Sequence, residues 1–296
     1  MKKLKLNLKP MMKKFEIFTK RETLSELSGS YLSLLKGKGF DFEGYRKYSV
    51  EDDSKFIDWK ASLRAQQLLV RILTEERNVK VFFLFDVSNS MLFASTDKLK
   101  CEYGAEIIAS LSSAILMAGD GVGMAMFSDR IVKLIPIKMG PQHYYDIIKA
   151  LSSPKLYGGK FDFTKVLKFL NNYLTRNSIV IIVSDFIGLD NSWKTHFRIA
   201  TKKFDFLLMI MVRDPLDNKF PKDTGQVVLE DPFSPTKLLT DPNTVGGAYE
   251  SQSRDIKEKI KSEISKDRCD TIELITDKPF EKPLSSFFIR GKQKWR

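Results

Sequence analysis

The stretch VFFLFDVSNSMLF, Val81–Phe93, decides how the chain is read. Five apolar residues run straight into Asp86, and Ser88 and Ser90 follow at a spacing of two. A short, unbroken apolar run is the pattern of a strand buried on both faces. A carboxylate and two hydroxyls at its end put polar chemistry at the mouth of the core. SIVIIVSDF repeats the design and ends in Asp185, and DFLLMIMV is a third such run.

Between these runs lie segments with helical spacing. KLKCEYGAEIIASLSSAILMAG places Ile107, Ile108, Leu111, Ile115 and Ala118 three and four apart. VGMAMFSD and IVKLIPI read as paired strands turning at Ser128-Asp129-Arg130. PQHYYDIIKALSS and FTKVLKFLNNYL read as helices on either side of the loop LYGGKFD, and a short helix is expected from Trp193 to Thr201. Residues 213–248, rich in Asp, Pro and Gly, read as an insertion of turns and short strands. A charged helix over YESQSRDIKEKIKSEISKD and a strand at DTIELIT follow. The alternation predicts a doubly wound α/β fold with a mostly parallel sheet.

Composition narrows the class. Of 296 residues, 43% are apolar, enough for a large core and too many for general disorder. The two cysteines, Cys101 and Cys269, form no CxxC pair, so a disulfide scaffold and a zinc site are not expected. His143 and His196 stand alone, which leaves no Ser-His-Asp arrangement, and no phosphate-binding glycine motif is present. No run approaches a membrane span, so a cytoplasmic protein is expected. The net charge of +12 is concentrated at the ends: residues 1–20 hold seven lysines against one glutamate, and RGKQKWR adds four positive charges. Such ends can touch an anionic membrane surface weakly. Without interleaved aromatic residues they give no specific nucleic-acid motif.

Ligands of doubly wound sheets bind beyond the carboxyl ends of the strands. Asp86, Ser88, Ser90 and Asp185 are expected there, with Asp162 brought to the same rim by its loop. Carboxylates and hydroxyls without His or Cys suit Mg²⁺, or Mn²⁺ or Ca²⁺, better than Zn²⁺. The same residues could instead cap a turn and the next helix.

DVSNS, a following helix, a GG loop and IIVSD together resemble the metal-ion-dependent adhesion site of von Willebrand factor A domains. The stretch Gly39–Arg77, with Arg46 and Tyr48, Asp52 and Asp53, Ile57-Asp58-Trp59 and Arg64, resembles the segment ahead of that domain in the DUF58 family. The resemblance covers about residues 20–290. It implies a basic tail at 1–20, a family segment at 21–78 packed on the sheet, a von Willebrand-like domain at 79–290 and a basic tail at 291–296.

The family implies a bacterial or archaeal, non-enzymatic adaptor of a MoxR-type AAA+ ATPase and its client protein. Many members carry membrane helices ahead of the domain; this chain resembles the shorter version. By the same resemblance, Asp86 and Asp185 orient metal waters and Ser88 and Ser90 coordinate directly, leaving one position for a partner's carboxylate. The threonine expected after the GG loop is replaced by Lys160-Phe161, so a metal-free vestigial site is a second expectation. A Mg²⁺-dependent phosphoester hydrolase is a third, although Ser88 stands where such enzymes carry a second aspartate. Arg46, Asp52, Asp53, Asp58 and Arg64 are expected to form an ion-pair network, and Trp59 to pack into the core.

Overall fold

The computed structural model describes residues 41–49, 52–74, 79–220, 225–267 and 269–294. The expectations placed on the basic ends concern side chains outside those described. Two strands, β1 (Asp41–Lys47) and β2 (Leu69–Thr74), pair antiparallel, with the short helix α1 (Trp59–Ala65) between them in sequence. There follow β3 (Lys80–Asp86), α2 (Lys100–Met117), β4 (Gly121–Phe127), β5 (Ile131–Lys138), α3 (Pro141–Leu151) and α4 (Phe163–Tyr173). Then come β6 (Ile179–Ser184), α5 (Trp193–Lys203), β7 (Phe206–Arg213), α6 (Pro215–Asn218), β8 (Val227–Glu230) and β9 (Lys237–Thr240). The helix α7 (Pro242–Lys266), the strand β10 (Asp270–Ile275) and the helix α8 (Glu281–Lys294) close the described chain.

The central sheet has the order β10-β7-β6-β3-β4-β5. Every pair is parallel except β4 with β5. The chain leaves β3 for β4 and β5 on one side, then crosses back to β6 on the other. The order therefore reverses between β3 and β6, and this switch point is where a doubly wound sheet opens a crevice. The fold is the expected mixed α/β one.

Period-two alternation builds two cores from one strand. Val81, Phe83 and Phe85 face the layer of α2, α3 and α8, against Ile108, Leu111, Ile147 and Leu284. Phe82 and Leu84 face the layer of α4, α5 and α7, against Val166, Leu170, Phe197 and Ile264. All five are fully buried. Each such side chain contributes about 1.5–3 kcal/mol of transfer free energy, so β3 is the hydrophobic axis of the molecule.

Two expectations are corrected. The charged helix begins at Pro242, not near Tyr249: Asp241 caps it by accepting from Asn243 N–H, and Pro242 occupies its first turn. Gly246 and Gly247, read as loop, lie inside it. Trp59 is not core; it is 62% exposed. The helix α1 is anchored through Ser62, whose hydroxyl donates to Asp58 O (2.7 Å) and accepts from Leu69 N–H (2.8 Å). Trp59 and Leu63, four residues apart, share a face turned to solvent.

The close fit of β4 against its neighbours is testable. A Cβ on Gly123 would lie 2.7 Å from Ile137 Cγ1, 2.9 Å from Phe82 Cδ2 and 3.0 Å from the Ile137 backbone nitrogen. Gly123→Ala is expected to cost about 1–3 kcal/mol in urea unfolding. A variant as stable as the parent would show that β5 is not packed as described.

Candidate functional site

The residues singled out in the sequence meet at the switch point. Asp86 ends β3, and its Oδ1 accepts from Ser88 N–H (2.9 Å) while its Oδ2 accepts from the Ser184 hydroxyl at the end of β6 (2.6 Å). The Ser88 and Ser90 hydroxyls lie 3.2 Å apart, and Ser90 donates to Asp185 Oδ1 (3.1 Å), which also accepts from Ile187 N–H (3.0 Å). Asp86, Ser88 and Asp185 are fully buried and Ser90 nearly so. Capping explains Asp86 only: Ser88 sits at the start of a 3-10 turn without capping it, and α2 begins beyond Ser90, at Lys100. The serine hydroxyls are committed to members of this group.

Burial pushes the Asp86 carboxyl up to about 7, and the negative charge of Asp185 pushes in the same direction. Hydrogen bonds from Ser184 and Ser88 pull it partly back. The site therefore disfavours charge on Asp86.

Ser184, Lys100 and Asp217 were missed as site residues in the sequence. Lys100, 1% exposed, places its Nζ 2.7 Å from Asp185 Oδ2 and 3.0 Å from Asp217 Oδ2. Burial works against its charge, but the two carboxylates outweigh burial and raise its pKa. The ammonium is a built-in cation on the outer oxygen of Asp185, while Oδ1 remains turned to the serines. A signal existed: Lys100 opens α2, where the helix dipole disfavours positive charge, so its presence called for a carboxylate partner.

The loop after α3 is stitched to the DVSNS turn. Gly158 N–H donates to Val87 O (2.6 Å), Asn89 N–H to Gly159 O (2.9 Å), and Gly159 N–H to Asn89 Oδ1 (2.9 Å). Gly158 and Gly159 both have φ near +110°, a conformation that favours glycine. Asp162 does not join the hydrogen-bonded cluster. It caps α4, accepting from Lys165 N–H (2.9 Å) and pairing with Lys165 Nζ (2.9 Å), and these contacts hold its carboxyl below the ordinary range in spite of burial. Lys160 is exposed, and the Thr164 hydroxyl is hydrogen-bonded to that of Ser192 (2.5 Å). Phe161 stacks on Phe163 and on Phe233 at the tip of the β8–β9 hairpin. Asn89 Nδ2 also donates to Pro232 O (3.1 Å), so the hairpin tip is tied to the same rim.

The N-terminal residues form a smaller arrangement of their own. Arg46 makes a two-pronged pair with Asp52 (2.6 and 2.5 Å). Asp53 pairs with Lys55, and Asp58 caps α1 and accepts from the Tyr45 hydroxyl (3.0 Å). Arg64 has no ion pair among the described residues, so the single network expected from the sequence resolves into separate local contacts. His143 is buried with Nε2 2.8 Å from Val122 O, and both cysteines are buried with their thiols pushed up by desolvation. Among the described residues, no group of three or more His, Cys, Asp or Glu is arranged to hold a metal, and no helix is long and apolar enough to cross a membrane.

An α/β sheet carrying an oxygen-rich cluster at its switch point defines the class of protein, and the sequence matches a family model over residues 44–259. The chain belongs to that family, described as "Protein of unknown function DUF58". It is 25% identical over 222 residues to an uncharacterized protein of Mycobacterium tuberculosis, covering 74% of this chain and 69% of the relative. It is 28% identical over 107 residues to the uncharacterized protein YeaD of Bacillus subtilis, covering 36% of this chain and 25% of YeaD. Among solved structures, the conserved hypothetical protein BatB of Bacteroides thetaiotaomicron aligns with 73% of this chain and 99% of its own, at 17% identity and a TM-score of 0.49. An aerotolerance-related membrane protein of Bacteroides fragilis aligns over the same shares, at 16% identity and a TM-score of 0.47.

Two measurements test the electrostatics. A carboxyl whose pKa is higher folded than unfolded stabilises the fold at low pH and loses that contribution as pH rises through the folded value. Asp86→Asn in EDTA should match the parent in melting temperature near pH 4 and exceed it near pH 8. A difference that stays flat across this range would contradict the charge state given to Asp86. Lys100→Met leaves Asp185 buried without its partner and is expected to cost about 3–5 kcal/mol. A loss below about 1 kcal/mol in denaturant unfolding would remove Lys100 from the site's internal balance.

Proposed function

We propose that the chain is a non-enzymatic protein-interaction module that receives a partner's carboxylate through a hard divalent cation at the switch point. The observation that carries this reading is the convergence of Asp86, Ser88, Ser90 and Asp185, with both serine hydroxyls held toward the carboxylate of Asp185 or toward each other. Two carboxylates and two hydroxyls are a donor set for a cation that keeps several of its own waters, as Mg²⁺ does. Burial and the charge of Asp185 make ionising Asp86 costly, and a cation would offset that cost. When bound, the ion supplies a Lewis-acid position that accepts an oxygen from a partner.

The chain's own residues would do the rest. Ser88 and Ser90 would coordinate directly. Asp86 and the Oδ1 side of Asp185 would hold the ion's waters, and Lys100 would balance the outer side of Asp185. Lys100 also lowers the net negative charge that the two carboxylates present, which favours a reversible ion over a permanent one. Ser88 in place of a second aspartate, and the tendency of Asp86 to keep its proton, speak for adhesion rather than nucleophilic chemistry. Membership of the DUF58 family supports extending the reading to a MoxR-type AAA+ ATPase and its client as partners.

The test is Mg²⁺ titration by calorimetry, followed by capture of the cognate ATPase with and without EDTA. Ser88→Ala, which removes one hydroxyl, is expected to weaken Mg²⁺ at least tenfold and abolish the EDTA-sensitive capture while leaving the melting temperature within a few degrees. Capture of equal strength in Mg²⁺ and EDTA would sink the metal reading.

A further inference from the structure

Beyond the rim, a cleft of about 550 Å³ opens between the segment after β6, the end of β7 and the helix α7. It is lined by Trp193, Ile260 and Ile256 on its apolar side and by Arg213, Asp217 and Tyr249 on its polar side. Arg213 is the unusual member. It is 7% exposed, its Nε has no hydrogen-bond partner, and its guanidinium makes no ion pair among the described residues. The nearby acids are already engaged. Asp214 accepts from Ser95 N–H (2.8 Å), from the Ser95 hydroxyl and from Leu216 N–H (2.9 Å). Asp217 accepts from Lys100 Nζ (3.0 Å) and from Asp214 N–H (2.9 Å).

An arginine cannot shed its proton to escape burial. A largely buried arginine with its Nε unpaired is unfavourable, and this one nonetheless lines a cleft of ligand size. We propose that the cleft is a receptor site for a carboxylate borne on an apolar body. The carboxylate would pair with the planar fork of Arg213, and the apolar body would lie against Trp193, Ile256 and Ile260. A phosphate fits less well. Asp190, Asp217 and Glu263 line the cleft beside Lys194 and Lys259, and these carboxylates disfavour a dianion more than a singly charged acid. The proposal needs no metal at the rim.

The experiment is done on the full chain in EDTA, which separates it from the metal reading. Binding is measured by calorimetry and melting temperature with octanoate, octanamide, inorganic phosphate, and a short peptide ending in leucine as free acid or as amide. Octanoate or the peptide acid should bind, with the matching amide at least tenfold weaker and phosphate weaker still. Tighter binding of the peptide acid would identify a protein C-terminus as the source, and tighter binding of octanoate a free acid. Arg213→Met should lose at least tenfold in affinity, while its melting temperature without ligand stays level or rises, because an unpaired charge has become apolar. Arg213→Lys, which keeps the charge but not the fork, should retain weak binding. The proposal is overturned if neither acid binds at millimolar concentration, if phosphate binds best, if Arg213→Met binds as the parent does, or if that variant melts well below the parent.

Discussion

A single ammonium ties the start of α2 to the carboxyl end of one strand and to the short helix beyond another. Lys100 reaches from the first residue of α2 to Asp185 after β6 and to Asp217 in α6 after β7. Water is excluded from all but the Asp217 end of this contact, so the pair is felt at a low effective dielectric. Removing the lysine would leave Asp185 charged beside Asp86 in the same dry space. The rim therefore depends on a cation that belongs to the chain, and the serines and glycines around it are arranged on that foundation.

The fold was legible because its code is local. Val81–Phe85 and Ile179–Val183 are apolar on both faces, which only a covered parallel sheet satisfies. The helix α2 shows its spacing plainly. Where the reading failed, local signals conflicted. Gly246-Gly247 suggested a loop, yet Asp241-Pro242 supplies a cap and a first turn that start α7 seven residues before Tyr249. Trp59 suggested core by its size, but the contacts of α1 run through Ser62, and a large ring carries no label for the side it faces.

The site was legible where it lies in one motif and opaque where it is assembled. Asp86, Ser88 and Ser90 are contiguous, and Asp185 ends a strand of the same design. Asp162 was expected at the rim by loop proximity, but a carboxylate three residues before a lysine at a helix start is already occupied as a cap. Lys100 was invisible as a site residue because its partners lie more than eighty residues away, and Arg213 because its cleft is assembled from three separate segments. The hairpin contact of Asn89 with Pro232 spans 143 residues and has no sequence pattern at all.

The internal counter-charge also bears on how such a molecule is made and how it diverges. A site that must wait for an ion to offset its carboxylates ties folding to the ion's supply. Here Lys100 is delivered with the polypeptide, so the sheet can close on the ribosome's timetable rather than the cell's metal economy. The loop bearing Lys160 and Phe161 is no part of that ion pair, so changes there need not disturb it.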